Sequence, residues 1–307
     1  MTSRSHFFHD GSEDVPKLKV YLNLDNLVDL RADTIWPGLE GLARYRRLMD
    51  DGFEGVQLTT NDPPLAEASI PHCGLDRINT PAEADAIAAR HAERGDKCLT
   101  VHVGWGLEDD DAVYRLVEAT LAASEKNHLP IFIETHRATI TQDVWRTVQV
   151  TRRFPEVRFN GDFSHYYCGL ELVYGNWAEK LDFMEPIFAR VGFMHGRIAS
   201  PGCIQVSIKP DAASPSGQTN GNPVYHDHFK ELWTRAMLGF RRNAARGDVL
   251  IFAPELLAST HCYARLLPDA SGRLVEESDR YAQALIYKDL AHACFAEAER
   301  RFSGTRR

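Results

Sequence analysis

No apolar run in this 307-residue chain reaches the roughly 18 residues that a membrane-spanning helix needs. The opening stretch, MTSRSHFFHDGSEDVPK, lacks the apolar segment of a secretory leader. Cysteine is scarce and scattered. Its six copies, Cys73, Cys98, Cys168, Cys203, Cys262 and Cys294, form no CxxC and no close pair, and several sit in apolar runs as small hydrophobes. Positive charge is in deficit: 35 Lys and Arg face 43 Asp and Glu, a net charge of −8. Neither nucleic acid nor an anionic membrane gains by counterion release on such a surface. Missing too are a GxGxxG after the first strand, a P-loop, a GxSxG elbow, an HExxH pair and a kinase signature. No Pro/Gly/Ser linker divides the chain and no solenoid repeat is visible. These absences predict one cytoplasmic domain with reduced thiols, no membrane partner and no nucleic acid.

What is present is 44% apolar and 25% charged sequence, enough to bury a full core. Short apolar runs alternate with longer amphipathic stretches. The runs are KLKVYLNL (17–24), FEGVQLTT (53–60), KCLTVHVG (97–104), LPIFIETH (129–136), VRFNGDFSH (157–165), VGFMHGRI (191–198) and DVLIFAPELL (248–257). Each is short and rich in β-branched or aromatic residues, as buried parallel strands are. Helical patterns fall at 37–51, 81–94, 107–126, 142–153, 176–189, 223–246 and 275–302. Thr80, Pro81 and Glu83 mark a helix start. Strict alternation implies a parallel sheet with right-handed crossovers. With an eighth, weak strand at 71–79, the pattern predicts a single (β/α)8 TIM barrel over 17–303, preceded by a tail at 1–16. An open doubly wound sheet is the competing fold. Two turn-rich segments, 199–222 and 258–274, follow strand C-termini, the face where barrel active sites lie.

The chemistry is carried by how the runs end. IFIETH closes on Glu134 and His136, FNGDFSH on Asp162 and His165, FMHGR on His195 and Arg197, and FAPELL holds Glu255. Residues two apart on a strand share a face, so Glu134 points with His136 and His195 with Arg197. Four successive strands thus deliver Glu, Asp, His and Glu to one barrel mouth. Any one of them alone reads as a solvated rim residue; four together demand a counter-charge. A divalent cation is the simplest. Three carboxylates and one imidazole favour Mn²⁺ foremost or Mg²⁺, with Co²⁺ or Zn²⁺ as alternatives.

With these four strand ends, the chain from about 17 to 300 resembles the xylose isomerase-like barrels, the superfamily of sugar isomerases and epimerases. The resemblance implies that Glu134, Asp162, His195 and Glu255 hold the metal and that Glu134 and Glu255 also act as acid and base. It implies that His165, in the D-x-x-H element, contacts substrate oxygens, and Arg197 is similar to a substrate-binding arginine of that group. The E-T-H-R and H-G-R-I versions and the 199–222 insertion depart from the ketose epimerases.

Other residues extend the site. His136 is expected beside Glu134 as a general acid or base, or as a rim histidine bonding a carboxylate. His102, in TVHVG, Trp105, Gln205 and Lys209 are candidate substrate contacts, each with a plain packing alternative. His226 and His228 (YHDHF) resemble a metal pair, but they open a helix, where residues two apart diverge. The function expected is a metal-dependent isomerase or epimerase acting on a sugar or keto-sugar through an enediolate. The alternatives are a lyase, hydratase or glycoside-cleaving enzyme on a 3-keto-sugar, an abasic-site endonuclease ranked low on charge, and a non-catalytic sugar-binding barrel. The partner is a small carbohydrate, and the long loops leave homo-oligomer formation open.

Overall fold

A computed structural model describes residues 6–59, 70–210 and 223–304. Eight parallel strands form the core: β1 (Lys17–Asn23), β2 (Gly55–Leu58), β3 (His72–Ile78), β4 (Leu99–Val103), β5 (Ile131–Glu134), β6 (Phe159–Asn160), β7 (Val191–Gly196) and β8 (Asp248–Pro254). Around them lie α1 (Gly41–Asp50), α2 (Ala84–Arg94), α3 (Asp110–Asn127), α4 (Val144–Arg153), α5 (Ser164–Gly169), α6 (Trp177–Phe188), α7 (Val224–Asn243) and α8 (Arg280–Gly304). Each strand pairs with the next, and β8 returns to β1 with Lys17 opposite Val249 and Val20 opposite Phe252. The sheet is therefore closed. It is a (β/α)8 barrel, and the open-sheet alternative is excluded. No helix among the described residues is long and apolar enough to cross a membrane.

Three expectations are revised. Residues 6–16 are not a separate tail: Phe8 and His9 pair antiparallel with Val249 and Asp248 of β8, and Phe7 and Phe8 are buried. Phe7 packs edge-on against Phe240 of α7 and lies close to Gly192 of β7, where a side chain would meet the rings of Phe132 and Phe7. The strand expected over 157–165 is short. It ends at Asn160, and Ser164 and His165 already belong to α5, whose first turn follows a side chain–backbone bond from the Ser164 amide to Asp162 Oδ1 (3.0 Å). Half of the 199–222 insertion, residues 211–222, lies outside the described residues.

The weak eighth strand is β3. It reads poorly because Asp76 and Arg77 interrupt its apolar pattern, and the structure accounts for the acid. Asp76 points outward to α2, where it meets His91 Nε2 (3.0 Å) and Arg90 Nη2 (2.5 Å). The other nitrogen of His91 meets Asp96 (2.5 Å), which also pairs with Arg94 (2.8 Å). Burial draws the pKa of His91 down, but Asp76 and Asp96 outweigh it and hold it above the usual histidine value. A raised folded-state pKa means that this stabilisation is present below the unfolded value near 6.5 and fades as pH rises through the folded one. Replacing His91→Gln should therefore cost most stability in mildly acidic buffer, with the gap to wild type narrowing above about pH 6.5. Urea midpoints of both proteins across pH would show this; a pH-independent gap would refute it.

Candidate active site

The site is a layer of polar side chains laid across the C-terminal end of the barrel. Inward positions of successive strands build it: Asn23 from β1, Gln57 from β2, Thr100 and His102 from β4, Glu134 from β5, Asn160 from β6 and His195 from β7. Asp162 and Glu255 follow β6 and β8. Glu134, Asp162 and His195 have no accessible surface, and Glu255 is 4% exposed. One ligand atom from each of these four lies within 4.8 Å of the others. Opposite ligands of an octahedral Mg²⁺ stand about 4.2 Å apart, so small side-chain movements would close the shell.

Hydrogen bonds set the imidazole of His195. Gln57 Nε2 donates to Thr100 Oγ1 (2.8 Å), which turns Gln57 Oε1 toward Asn23 Nδ2 (3.0 Å) and His195 Nε2 (2.8 Å). Gln57 thus holds a proton on Nε2 and turns Nδ1 to the cluster. Nδ1 lies 3.2 Å from Glu134 Oε2, 3.4 Å from Glu255 Oε2 and 3.0 Å from Asn160 Nδ2. Against burial, Glu255 and Glu134 raise the His195 pKa to about 9 in the metal-free chain, and a cation at Nδ1 would take the place of that proton. Glu134 Oε1 and Asp162 Oδ2 are buried and accept no hydrogen bond from the described residues. Such acceptors are costly unless something positive meets them. The donor set thus fits a hard divalent cation.

Arg197 supplies part of the positive charge. Its Nη2 contacts Glu255 Oε2 and stands 3.2 Å from Asp162 Oδ2, while Nε donates to the Glu255 carbonyl (3.1 Å). Burial would raise every carboxyl pKa here, but His102 and His195 hold Glu134 well below the carboxylate range. Against the same burial, Arg197 and His165 hold Asp162 low. Burial wins at Glu255 and pushes it up to about 7, despite His195 and Arg197.

Beside this cluster the rings of His102, His136 and His165 form a row, with centroids 4.5 Å and 3.8 Å apart. His102 Nε2 reaches Glu134 Oε2 at 3.2 Å. His136 is kept neutral: burial, then its neighbour His165, lowers its pKa to about 2. The Ala138 amide donates to its Nδ1 (3.0 Å), so the proton sits on Nε2, which faces Tyr263 Oη at 3.3 Å. His136 therefore enters the pocket as an N–H donor. The base role that its position suggested does not fit this tautomer.

Several expected contacts are committed elsewhere. Both amide atoms of Gln205 bond the backbone of Leu257 (3.1 and 2.9 Å), tying the two long loops together. Trp105 is exposed, with the Arg77 guanidinium 4.0 Å from its ring centroid. Lys209 lies on the surface. His226 and His228 open α7 as expected; His228 stacks on Trp177 and bonds Tyr167 Oη (2.9 Å), and neither joins a group able to hold a metal among the described residues. The sequence reading missed Asn23, Gln57 and Asn160, although a polar residue inside each buried strand was a visible signal. It also missed Tyr263, from the loop after β8, which lies under Arg197 with 4.5 Å between guanidinium carbon and ring centre.

Because Arg197 is the only arginine among the described residues that contacts both Asp162 and Glu255, its loss would leave two buried carboxylates short of a partner. Arg197→Met should cost the metal-free protein about 3–5 kcal/mol. Chemical denaturation measures this, and a loss below about 1 kcal/mol would contradict the charge balance described.

No protein-family model matches the chain, and no curated protein matches it. Many solved structures are similar to it, and two of them share a TM-score of 0.50. One is the probable 3-DHS dehydratase AsbF involved in petrobactin synthesis from Bacillus anthracis, at 14% identity and a TM-score of 0.50, covering 77% of this chain and 92% of that one. The other is a xylose isomerase-like TIM barrel protein from Mycobacterium smegmatis in complex with magnesium, at 10% identity and a TM-score of 0.50, covering 91% and 97%. At such identities the likeness is one of fold, the (β/α)8 TIM barrel.

Proposed function

We propose that the chain is a metal-dependent enzyme that moves a proton at the carbon beside a carbonyl of a polyhydroxylated substrate, an isomerase or epimerase working through an enediolate. One observation carries this reading: the buried convergence of Glu134, Asp162, His195 and Glu255 within 4.8 Å. A divalent cation bound there, Mn²⁺ foremost, would draw charge from the substrate's vicinal carbonyl and hydroxyl oxygens.

The chain's own residues supply the rest. Glu134 and Glu255 come from strands three apart in the barrel and exchange the proton: one removes it from carbon and the other returns it. Burial raises the Glu255 carboxyl to about 7 in the metal-free chain, and a cation bound to it would lower that value. Arg197 orients Glu255 and Asp162 from the side. Tyr263 and the neutral ring of His136 offer donors at the mouth. His165, buried beside Asp162 (3.5 Å), faces the same space with neither ring nitrogen hydrogen-bonded.

That N–H donor also favours a second reading, elimination of a β-hydroxyl from the same enediolate, since a leaving oxygen needs a donor. In D₂O, an epimerase would place deuterium at the inverted carbon, whereas elimination would give an unsaturated product. A panel of keto-sugars and sugar acids followed by NMR separates the two, and the absence of any C–H exchange over the whole panel would sink both.

The metal step has its own test. The protein should take up one Mn²⁺ per chain, and chelation should abolish turnover. Gln57→Leu removes the acceptor that sets the His195 tautomer and should weaken Mn²⁺ binding about 10–100-fold without unfolding the barrel. Calorimetric titration would read both, and no saturable Mn²⁺ uptake would overturn the proposal.

A further inference from the structure

We propose that the substrate of this pocket is an anionic polyol, a sugar acid or sugar phosphate, whose charged group is received at the rim by the guanidinium groups of Arg77 and Arg137. This names the substrate class for the proton-transfer reading above and rests on it for the reacting end of the molecule, but not for the rim itself.

Arg77 is aimed at the pocket by strand alternation. Its neighbour Asp76 points outward to His91 and Arg90 of α2, so Arg77 takes the inner face. In the sheet it lies opposite His102, whose Nε2 reaches Glu134. In-register neighbours of parallel strands share a face, which puts Arg77 beside the metal-ligand layer. Its Nη1 donates to the Gly104 carbonyl (2.6 Å) and its plane lies against Trp105. It is half-buried, and among the described residues no carboxylate pairs with it. Glu108, close by in the same loop, turns one oxygen to the Trp105 amide instead (2.8 Å). Burial acts on this guanidinium more strongly than the charges of Glu134 and Glu108, neither of which forms an ion pair with it, and such a group is costly to keep without a direct anionic contact.

Arg137 follows His136 at the mouth. It is exposed, its guanidinium carbon lies 5.7 Å from the Tyr263 ring centre, and no carboxylate pairs with it among the described residues. Tyr263 stands between it and Arg197, whose charge is already taken up by Asp162 and Glu255. The polarity of the site follows. A second anion could not settle against the three carboxylates at the floor, whereas Arg77 and Arg137 leave planar donor forks at the rim that match a carboxylate or phosphate.

The test is calorimetric binding to the Mn²⁺-loaded full-length protein of three probes: D-fructose, 5-keto-D-gluconate and D-fructose 6-phosphate. At least one anionic probe should bind about tenfold or more tightly than the neutral sugar, and which one does so separates carboxylate from phosphate recognition. Arg77→Gln and Arg137→Gln should each erase about tenfold of that preference while leaving D-fructose binding and Mn²⁺ affinity unchanged. Arg77→Lys, which keeps the charge but not the fork, should retain part of it. Circular dichroism controls for folding, and exposed Arg137 gives a variant that does not disturb the core. Equal binding of all three probes, no binding by either anionic probe, or a preference that survives both substitutions would overturn the inference. Failure to bind Mn²⁺ with the anion preference intact would instead remove the proton-transfer reading and leave the rim standing.

Discussion

Three carboxylates share one desolvated layer, and the geometry of the mouth answers to that constraint. Glu134, Asp162 and Glu255 are taken out of water together. Each ion so buried costs several kcal/mol unless opposite charge meets it. Arg197 meets Asp162 and Glu255, and His102 and His195 meet Glu134. Three acids outnumber the one arginine, and burial still drives the Glu255 pKa to about 7 against the charges of His195 and Arg197. The shortfall is a reason for the cluster to hold a cation.

Such a layer works only if its members cannot turn away from one another. Amides perform that task. Gln57 is bonded by Thr100, Asn23 and His195, and Asn23 also reaches Glu255 Oε1 (3.3 Å), so β1, β2, β4, β7 and β8 are cross-linked at one level. Asn26 donates to the Pro254 carbonyl (2.7 Å) and accepts from the Leu256 amide (3.0 Å), fixing the backbone on both sides of Glu255. Farther out, the buried guanidinium of Arg280 at the start of α8 gathers the carbonyls of Asp25, Asn26 and Asp29 and pairs with Glu276 (2.8 Å). The loops after β1 and β8 are thereby held to a helix, which fixes the backbone that carries Glu255.

Legibility in the sequence tracked how far each feature depends on local pattern. Seven strands showed as apolar runs because both faces of a barrel strand are buried. The eighth was faint because Asp76, an outward residue, pairs with α2 rather than facing apolar side chains. The four converging acids and histidine showed because charged residues at the ends of such runs are out of place. Roles were less visible. The donor character of His136 is set by the Ala138 amide, a bond made by a turn that no periodicity encodes. Gln205 looked available and is instead consumed by Leu257, 52 residues away. Tyr263 entered from a long loop without a motif, placed by the fold of that loop over Arg197. The segment 157–165 misled because Asp162 must leave the strand to reach the cluster, so the chain turns into α5 early.

The distribution of charge around the mouth gives the pocket a direction. The acids come from the β5–β8 half and gather at the floor, where Arg197 and the imidazoles offset them. On the other side, Arg77 on β3 stands above His102, with Trp105 as a flat wall against its guanidinium. A ligand lying across this gradient has one favourable orientation: oxygens rich in lone pairs toward the floor and its cation, negative charge toward the arginine rim. Reversal would set an anion against three carboxylates and leave the guanidinium groups unpaired. In the proposed reaction orientation matters most, because only one carbon would stand between Glu134 and Glu255. The same asymmetry that relieves the buried acids would then select which end of the substrate reacts.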